Sequence, residues 1–358
     1  MSERTKSDGN TSNIPSNILL KGEAWQKLSK RAQEEIVELA FQYWRNKGFP
    51  YYQLSARELE QDFTRVLNQG WDRVFKNKRL TCSTAGLRLA NAYQRGMWTA
   101  RVSRYLSPMD VFRSDDLLRK AIRRAFKIWP TRYGANASSL RRMLKSFPSA
   151  AGVSNYRPAI ARAVIGKFAP EGGAVVDFAA GYGGRLLGAI AANRNYVGIE
   201  PNKRQILGFR RMQRAIRARR FVCPQARFLH GPAEHHLPRL PGRSTDLVFS
   251  SPPFFDWERY STGAMQSFRR YPTYERWRAE FLGPVISHSF RILRKKGFLV
   301  LNVTNGNRRP GPLEVRTIAE ASGFTLKDTY RMAIPKIPYL HPRNGNAIKH
   351  ELLVVFQK

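Results

Sequence analysis

Between Asp246 and Trp257 the chain reads DLVFSSPPFFDW. Leu247, Val248 and Phe249 form a short apolar run without helical period, which reads as a buried strand. The pair Pro252-Pro253 neither continues a strand nor enters a helix interior, so it makes a stiff bend at the strand's carboxyl end. In open α/β sheets that edge is where ligands bind. The bend would hold a hydroxyl (Ser251), a backbone carbonyl (Pro252) and two aromatic rings (Phe254, Phe255) on one rigid corner. A planar base with an exocyclic amine matches that set. Its face stacks on Phe254, and its NH2 donates to the Ser251 side chain and the Pro252 carbonyl.

A second cluster lies upstream, in the stretch Asp177-Phe-Ala-Ala-Gly181-Tyr-Gly183-Gly184-Arg185. Glycines at a strand-to-helix turn let the backbone approach a ligand closely, and the helix N-terminus adds donors. Glu200 follows Gly181 by 19 residues, at the end of the next strand. An acidic side chain there accepts hydrogen bonds from ribose hydroxyls.

These residues need a scaffold, and the hydrophobic pattern supplies one. Strands are expected at 174–178, 196–200, 226–230, 246–250, 297–303, 324–330 and 351–356, and helices at 184–192, 202–218, 274–293 and 313–322. Strands and helices in alternation predict a doubly wound α/β sheet. The first half reads as helical. Trp25, Leu28, Ala32, Ile36, Leu39, Ala40 and Tyr43 share one face of a helix that ends near Gly48. Ser55 with Glu58 forms a capping-box pair for the next helix. Ser114 or Asp115 caps another, and Ser138 one more. Residues 1–20 are polar and read as a disordered tail. The expected organisation is that tail, a basic helical domain over 21–150 and an α/β domain over 151–358.

The string VVDFAAGYGGRLLGA resembles the D-x-x-x-G-x-G motif of S-adenosylmethionine (SAM) methyltransferases. The G-x-G-x-x-G of dinucleotide sites is absent, because Leu186 takes the third glycine position. SSPPFF is similar to the S/D/N-P-P-Y/F catalytic motif of the amino-methyltransferases, which methylate adenine N6 or cytosine N4. The two motifs stand in that family's order, and the resemblance spans roughly Asn155 to Lys358. It implies a Rossmann-like, seven-stranded methyltransferase domain with SAM as cofactor. Asp177, Gly181 and Gly183 would line the methionine part, Glu200 the ribose and Glu234 the adenine ring. Tyr156 lies in the segment Asn155–Pro158, which would close over the methionine end. Ser251, Pro252, Pro253 and Phe254 would form the catalytic turn, acting on a base flipped out of its duplex. Serine at the first motif position is more usual in cytosine-N4 enzymes, which favours cytosine over adenine.

Charge agrees with a polyanionic partner. Lys and Arg outnumber Asp and Glu by 62 to 26, a net charge of +36, and such a field favours nucleic acid through counterion release. Between Arg101 and Lys145 there are 12 Lys or Arg against three Asp, interleaved with Tyr105, Phe112, Trp129, Tyr133 and Phe147. Basic residues track phosphates and aromatics stack on bases. In the segment 255–277, Phe255, Trp257, Arg259, Tyr260, Arg269 and Arg270 are expected to form a lid and touch the strand. DNA is favoured over RNA, and restriction-modification is the setting that the resemblance implies. The alternatives are an RNA base methyltransferase and a non-catalytic nucleic-acid binder on the same scaffold.

Other chemistries fit less well. Cytosine-C5 methylation needs a cysteine at the strand-four turn, where Phe254 stands instead. His230, His235 and His236 have no acidic or cysteine partners at ligand spacing, so no metal is expected. Two cysteines build no disulfide framework, and neither a secretory leader nor a membrane span is legible. The expected location is intracellular, cytoplasmic or nucleoid-associated.

Overall fold

The computed structural model describes residues 22–81, 83–128, 134–304, 310–333 and 350–358. The expected tail, and Trp129 and Tyr133, lie outside them. The chain divides into two compact units, Met1–Ser55 with Met97–Val153, and Ala56–Gly96 with Ser154–Lys358.

The first unit is helical. Its helices Lys30–Lys47, Asp115–Ile128 and Ala137–Lys145 bury Trp44, Phe41, Leu118, Phe126, Leu140 and their neighbours in one apolar core. Trp25 stacks on Phe126, with ring centroids 4.4 Å apart. The expected helix from residue 24 is interrupted: Ser29 adopts extended backbone and its Oγ accepts from Ala32 N at 3.2 Å. A serine cap competes successfully with helix continuation at that point. The cap expected from Ser138 is instead Asn136, whose side chain accepts from Ser139 N at 2.8 Å. Phe112 is buried in this core and Phe147 packs against it, so neither ring is a free stacking platform. Part of the basic run is neutralised within the unit. Arg119 donates to both oxygens of Glu38 (2.8 and 3.2 Å), Lys120 pairs with Asp116 at 2.6 Å and Arg123 pairs with Glu34.

The second unit is a Rossmann-like α/β layer structure. Its strands are β1 (Ala174–Asp177), β2 (Asn195–Glu200), β3 (Ala226–His230), β4 (Thr245–Ser250), β5 (Leu293–Thr304), β6 (Thr325–Ala333) and β7 (His350–Gln357). They stand in the order β3-β2-β1-β4-β5-β7-β6. The first five are parallel, and β7 runs antiparallel between β5 and β6. Leu247, Val248 and Phe249 are fully buried at the centre, as a strand covered on both faces requires. The order reverses between β1 and β4, so the ends of these two strands, Asp177 and Ser250, flank the switch point where such sheets open a crevice. The helix expected over 274–293 contains a π turn at Arg278–Leu282 before Gly283–Ile292. Pro284 has no N–H for the regular ladder, which the π turn accommodates.

The segment Ala56–Gly96 departs from the expected domain boundary. It belongs with the α/β layer: its helix Ala56–Leu67, which buries Leu59, Phe63 and Val66, contacts the helices Pro158–Phe168 and Gly184–Ala191. A short hairpin, Phe75–Lys76 with Arg79–Leu80, extends the sheet by pairing beside β6. Arg162 Nη1 ties the segment to the α/β layer by donating to the Gln69 carbonyl at 2.6 Å. Within the segment, buried Asp62 accepts from Gly86 N at 3.1 Å and Leu89 N at 3.0 Å, capping the helix Leu87–Ala92. Among the described residues, no helix is long and apolar enough to cross a membrane. Asp62→Ala strands both N–H groups and should lower unfolding free energy by about 1–3 kcal/mol. Urea denaturation followed by circular dichroism measures this, and an unchanged midpoint would refute it.

Candidate active site

Asp177, at the end of β1, is fully buried. Its Oδ2 accepts from Arg185 Nε at 2.7 Å and from the Tyr196 hydroxyl at 2.8 Å. Its Oδ1 accepts from Ser250 Oγ at 2.8 Å and Ala179 N at 3.2 Å. The carboxylate is thus saturated by its own protein, and it does not line the cavity described below. Its work is to hold Arg185. That guanidinium also donates to the Ala179 carbonyl and, through Nη1, to Ser251 Oγ at 3.0 Å. Sequence reasoning assigned Arg185 no role, although it is the one polar side chain in the helix Gly184–Ala191. A charge in a fully buried helix must have a buried counter-charge, and Asp177 is it.

The glycine turn is shaped from both sides. Gly181 and Gly183 have φ of +58° and +78°, the region glycine enters without strain. A Cβ on Gly184 would stand 2.0 Å from the Tyr156 carbonyl. That close approach lets Asn155 reach across: its Oδ1 accepts from Gly184 N at 3.1 Å and its Nδ2 donates to the Tyr182 carbonyl at 3.0 Å. The helix N-terminus is therefore partly capped from within. The Tyr156 ring stands edge-on to Phe249, centroids 5.4 Å apart.

A cavity of about 320 Å³ opens over these strand ends. Gly181, Glu200, Glu234, Tyr156, Arg157 and Arg185 line it, together with the corner Ser251, Pro252, Pro253 and Phe254. Gly183 lies outside the lining, and its place is the turn. Glu200 accepts from Gly181 N at 3.0 Å and Asn202 N at 2.9 Å. Burial pushes its carboxyl up to about 8, against these two donors, which favour the charged form. Glu234 accepts from Arg270 Nε at 3.1 Å and the Tyr271 hydroxyl at 3.0 Å through Oε1, whereas its buried Oε2 has no partner. Arg157 Nη1 is likewise buried and unpartnered. Among the residues that line the cavity, Glu234 Oε2 and Arg157 Nη1 are thus a buried acceptor and a buried cationic donor left without partners, each costly to leave unmade.

The corner at the end of β4 is open. Phe254 has no ring contact among the described residues, and only its backbone is tied, accepting from Trp257 N at 2.8 Å. The residues expected on the strand separate into two groups. Phe255, in left-handed backbone at φ +43°, packs edge-on against Tyr274 and Trp277 and is a wall. Tyr260 donates to Glu258 and meets Tyr182 with centroids 5.9 Å apart, which sets it beside the glycine turn. Arg270 is tied to Glu234. Arg259 and Arg269 are exposed, Arg259 within 3.8 Å of Asp256, and Trp257 is half-buried.

No protein-family model and no curated relative matches the sequence. Solved structures that match include YcgJ from Bacillus subtilis (13% identity, 56% of this chain and 98% of that one, TM-score 0.40). Others are a SAM-dependent methyltransferase from Methanosarcina mazei (13%, 55% and 96%, 0.39) and a TehB-like SAM-dependent methyltransferase from Corynebacterium glutamicum (17%, 57% and 89%, 0.36). Likeness at that level leaves the reaction to be argued from the site.

Glu200 also makes a stability prediction. Its folded value, about 8, lies above the ordinary 4.5. Stability from its protonation is therefore fully present below about pH 4.5 and is lost as pH rises through about 8. The Tm of the ligand-free protein should fall across that window more steeply in wild type than in Glu200→Gln. Parallel slopes in a thermal-shift series would contradict the assignment.

Proposed function

We propose that the second unit is a SAM-dependent methyltransferase that modifies an exocyclic amine of a nucleic-acid base, with DNA the favoured acceptor. The observation that carries this reading is one cavity holding both halves of the chemistry: the orphaned Glu234 Oε2 and Arg157 Nη1, and the Ser251-Pro252-Pro253-Phe254 corner. The residues fit the cofactor. Glu234 Oε2 would accept from the adenine amine, Glu200 from the ribose hydroxyls, and Arg157 would meet the methionine carboxylate. Bound SAM would supply an activated methyl on a sulfonium, whose transfer to the amine would leave the C–S electron pair on sulfur and release one amine proton to solvent.

The protein's share is orientation. Arg185 Nη1 occupies one lone pair of Ser251 Oγ, leaving the other for the substrate NH2. No described donor reaches the Pro252 carbonyl, which takes the second N–H. Two such bonds draw the nitrogen out of conjugation with its ring and aim its lone pair, while Phe254 holds the ring by its face. Placement of this kind supplies much of the acceleration in reactions that need little acid–base help. The base must leave a duplex to enter, and the net charge of +36 would hold the polyanion meanwhile.

Labelled SAM offered to duplex DNA, single-stranded DNA and total RNA tests the proposal. Label is expected in DNA nucleosides, reduced about 10²-fold or more in Ser251→Ala and Phe254→Ala with cofactor affinity retained. Label in RNA alone would move the acceptor, and no transfer to either would refute the reading.

A further inference from the structure

Two residues that line the cavity, Asn302 and Glu351, carry polar groups that neither the cofactor nor the catalytic corner uses. Leu301 and Val303 of β5 lie in the core with Trp277 and Val285. Alternate residues of a strand face opposite ways, so Asn302 and Thr304 point to the other face. Register brings Glu351 of β7 opposite Thr304 and Leu353 opposite Asn302. Asn302 Nδ2 donates to Glu351 Oε2 at 2.6 Å. That bond fixes the amide's orientation, since the flipped form would set oxygen against carboxylate. Asn302 Oδ1 is left buried with no partner, in a side chain 3% exposed, and both Asn302 and Glu351 line the cavity.

This acceptor lies near the corner: Ser250, the last residue of β4, pairs with Leu301 of β5, so Ser251 and Asn302 each follow directly on that last pair, and both line the cavity. Ser251 Oγ and the Pro252 carbonyl take the two hydrogens of the reacting amine. Asn302 Oδ1 then asks for a third donor flanking that amine. Neither flank of the adenine N6 or cytosine N4 amine carries a ring N–H, and the ring nitrogen beside each is an acceptor that would face an acceptor. Guanine presents N1–H next to N2.

We infer that Asn302, held by Glu351, is a specificity-determining residue that selects a base with a ring N–H flanking its amine, and that guanine N2 is the position methylated. This rests on the methyl-transfer reading and replaces the preference for cytosine drawn from Ser251 alone.

Two measurements test it. Nucleosides from DNA and RNA treated with wild-type protein and labelled SAM are separated by mass spectrometry. N2-methylguanine is expected. N4-methylcytosine or N6-methyladenine would overturn the inference while leaving methyl transfer intact, and no label would remove the reading beneath both. Oligonucleotides carrying guanine or 2-aminopurine at the mapped position are then compared. 2-Aminopurine keeps the amine but lacks N1–H. Wild type should prefer guanine by about tenfold or more in kcat/KM, and Asn302→Ala should bring the two substrates together. A purely structural role would lower both rates and leave their ratio unchanged, which would overturn the assignment.

Discussion

The buried carboxylate of Asp177 is the point on which the site depends. It closes β1, faces the end of β4 through Ser250, and is the ion-pair partner of Arg185 among the described residues. Burying two charges is expensive, and the pair persists because every lone pair of Asp177 is met by a donor. The return is geometric. Arg185 is held rigidly enough to present Nη1 to Ser251, so the Ser251 hydroxyl is tied to the same group that links the first strand to the glycine turn. Removing one member of such a buried pair costs about 3–5 kcal/mol, so the chemistry and the stability of the switch point cannot be varied separately.

Against that satisfied frame, the atoms left without partners acquire meaning. Glu234 Oε2, Arg157 Nη1 and Asn302 Oδ1 are buried and unbonded, and their residues all line one cavity. An acceptor, a cationic donor and a second acceptor describe the molecules that would fill it. In the proposed reading the first two would meet the ends of SAM, and the third would read the substrate base beside the amine.

Much of the second unit was legible in the chain. Its strands showed as short apolar runs between turns because β1, β2 and β4 are covered on both faces, and the glycine turn and the Pro-Pro bend fell where the sheet places them. Local pattern did not disclose partnership. Asp177 reads as a ligand-facing carboxylate until Arg185, Tyr196 and Ser250 are seen around it. Phe255 and Arg270 read as strand contacts until Trp277 and Glu234 are found against them. The placement of Ala56–Gly96 with the sheet rests on long-range apolar packing and on the bond from Arg162 to the Gln69 carbonyl, neither visible in a window of a dozen residues. Asn302 gave no signal because its neighbour Glu351 lies 49 residues away.

The central claim is that this cavity holds SAM, and calorimetric titration with S-adenosylhomocysteine tests it most directly. Arg270 donates to Oε1 of Glu234, so in Glu234→Gln the amide oxygen must stay there and the NH2 must take the place of Oε2, facing the adenine amine. One site per chain is predicted for wild type, with affinity about tenfold weaker in Glu234→Gln. No binding to wild type, or equal affinity in the variant, would contradict the account.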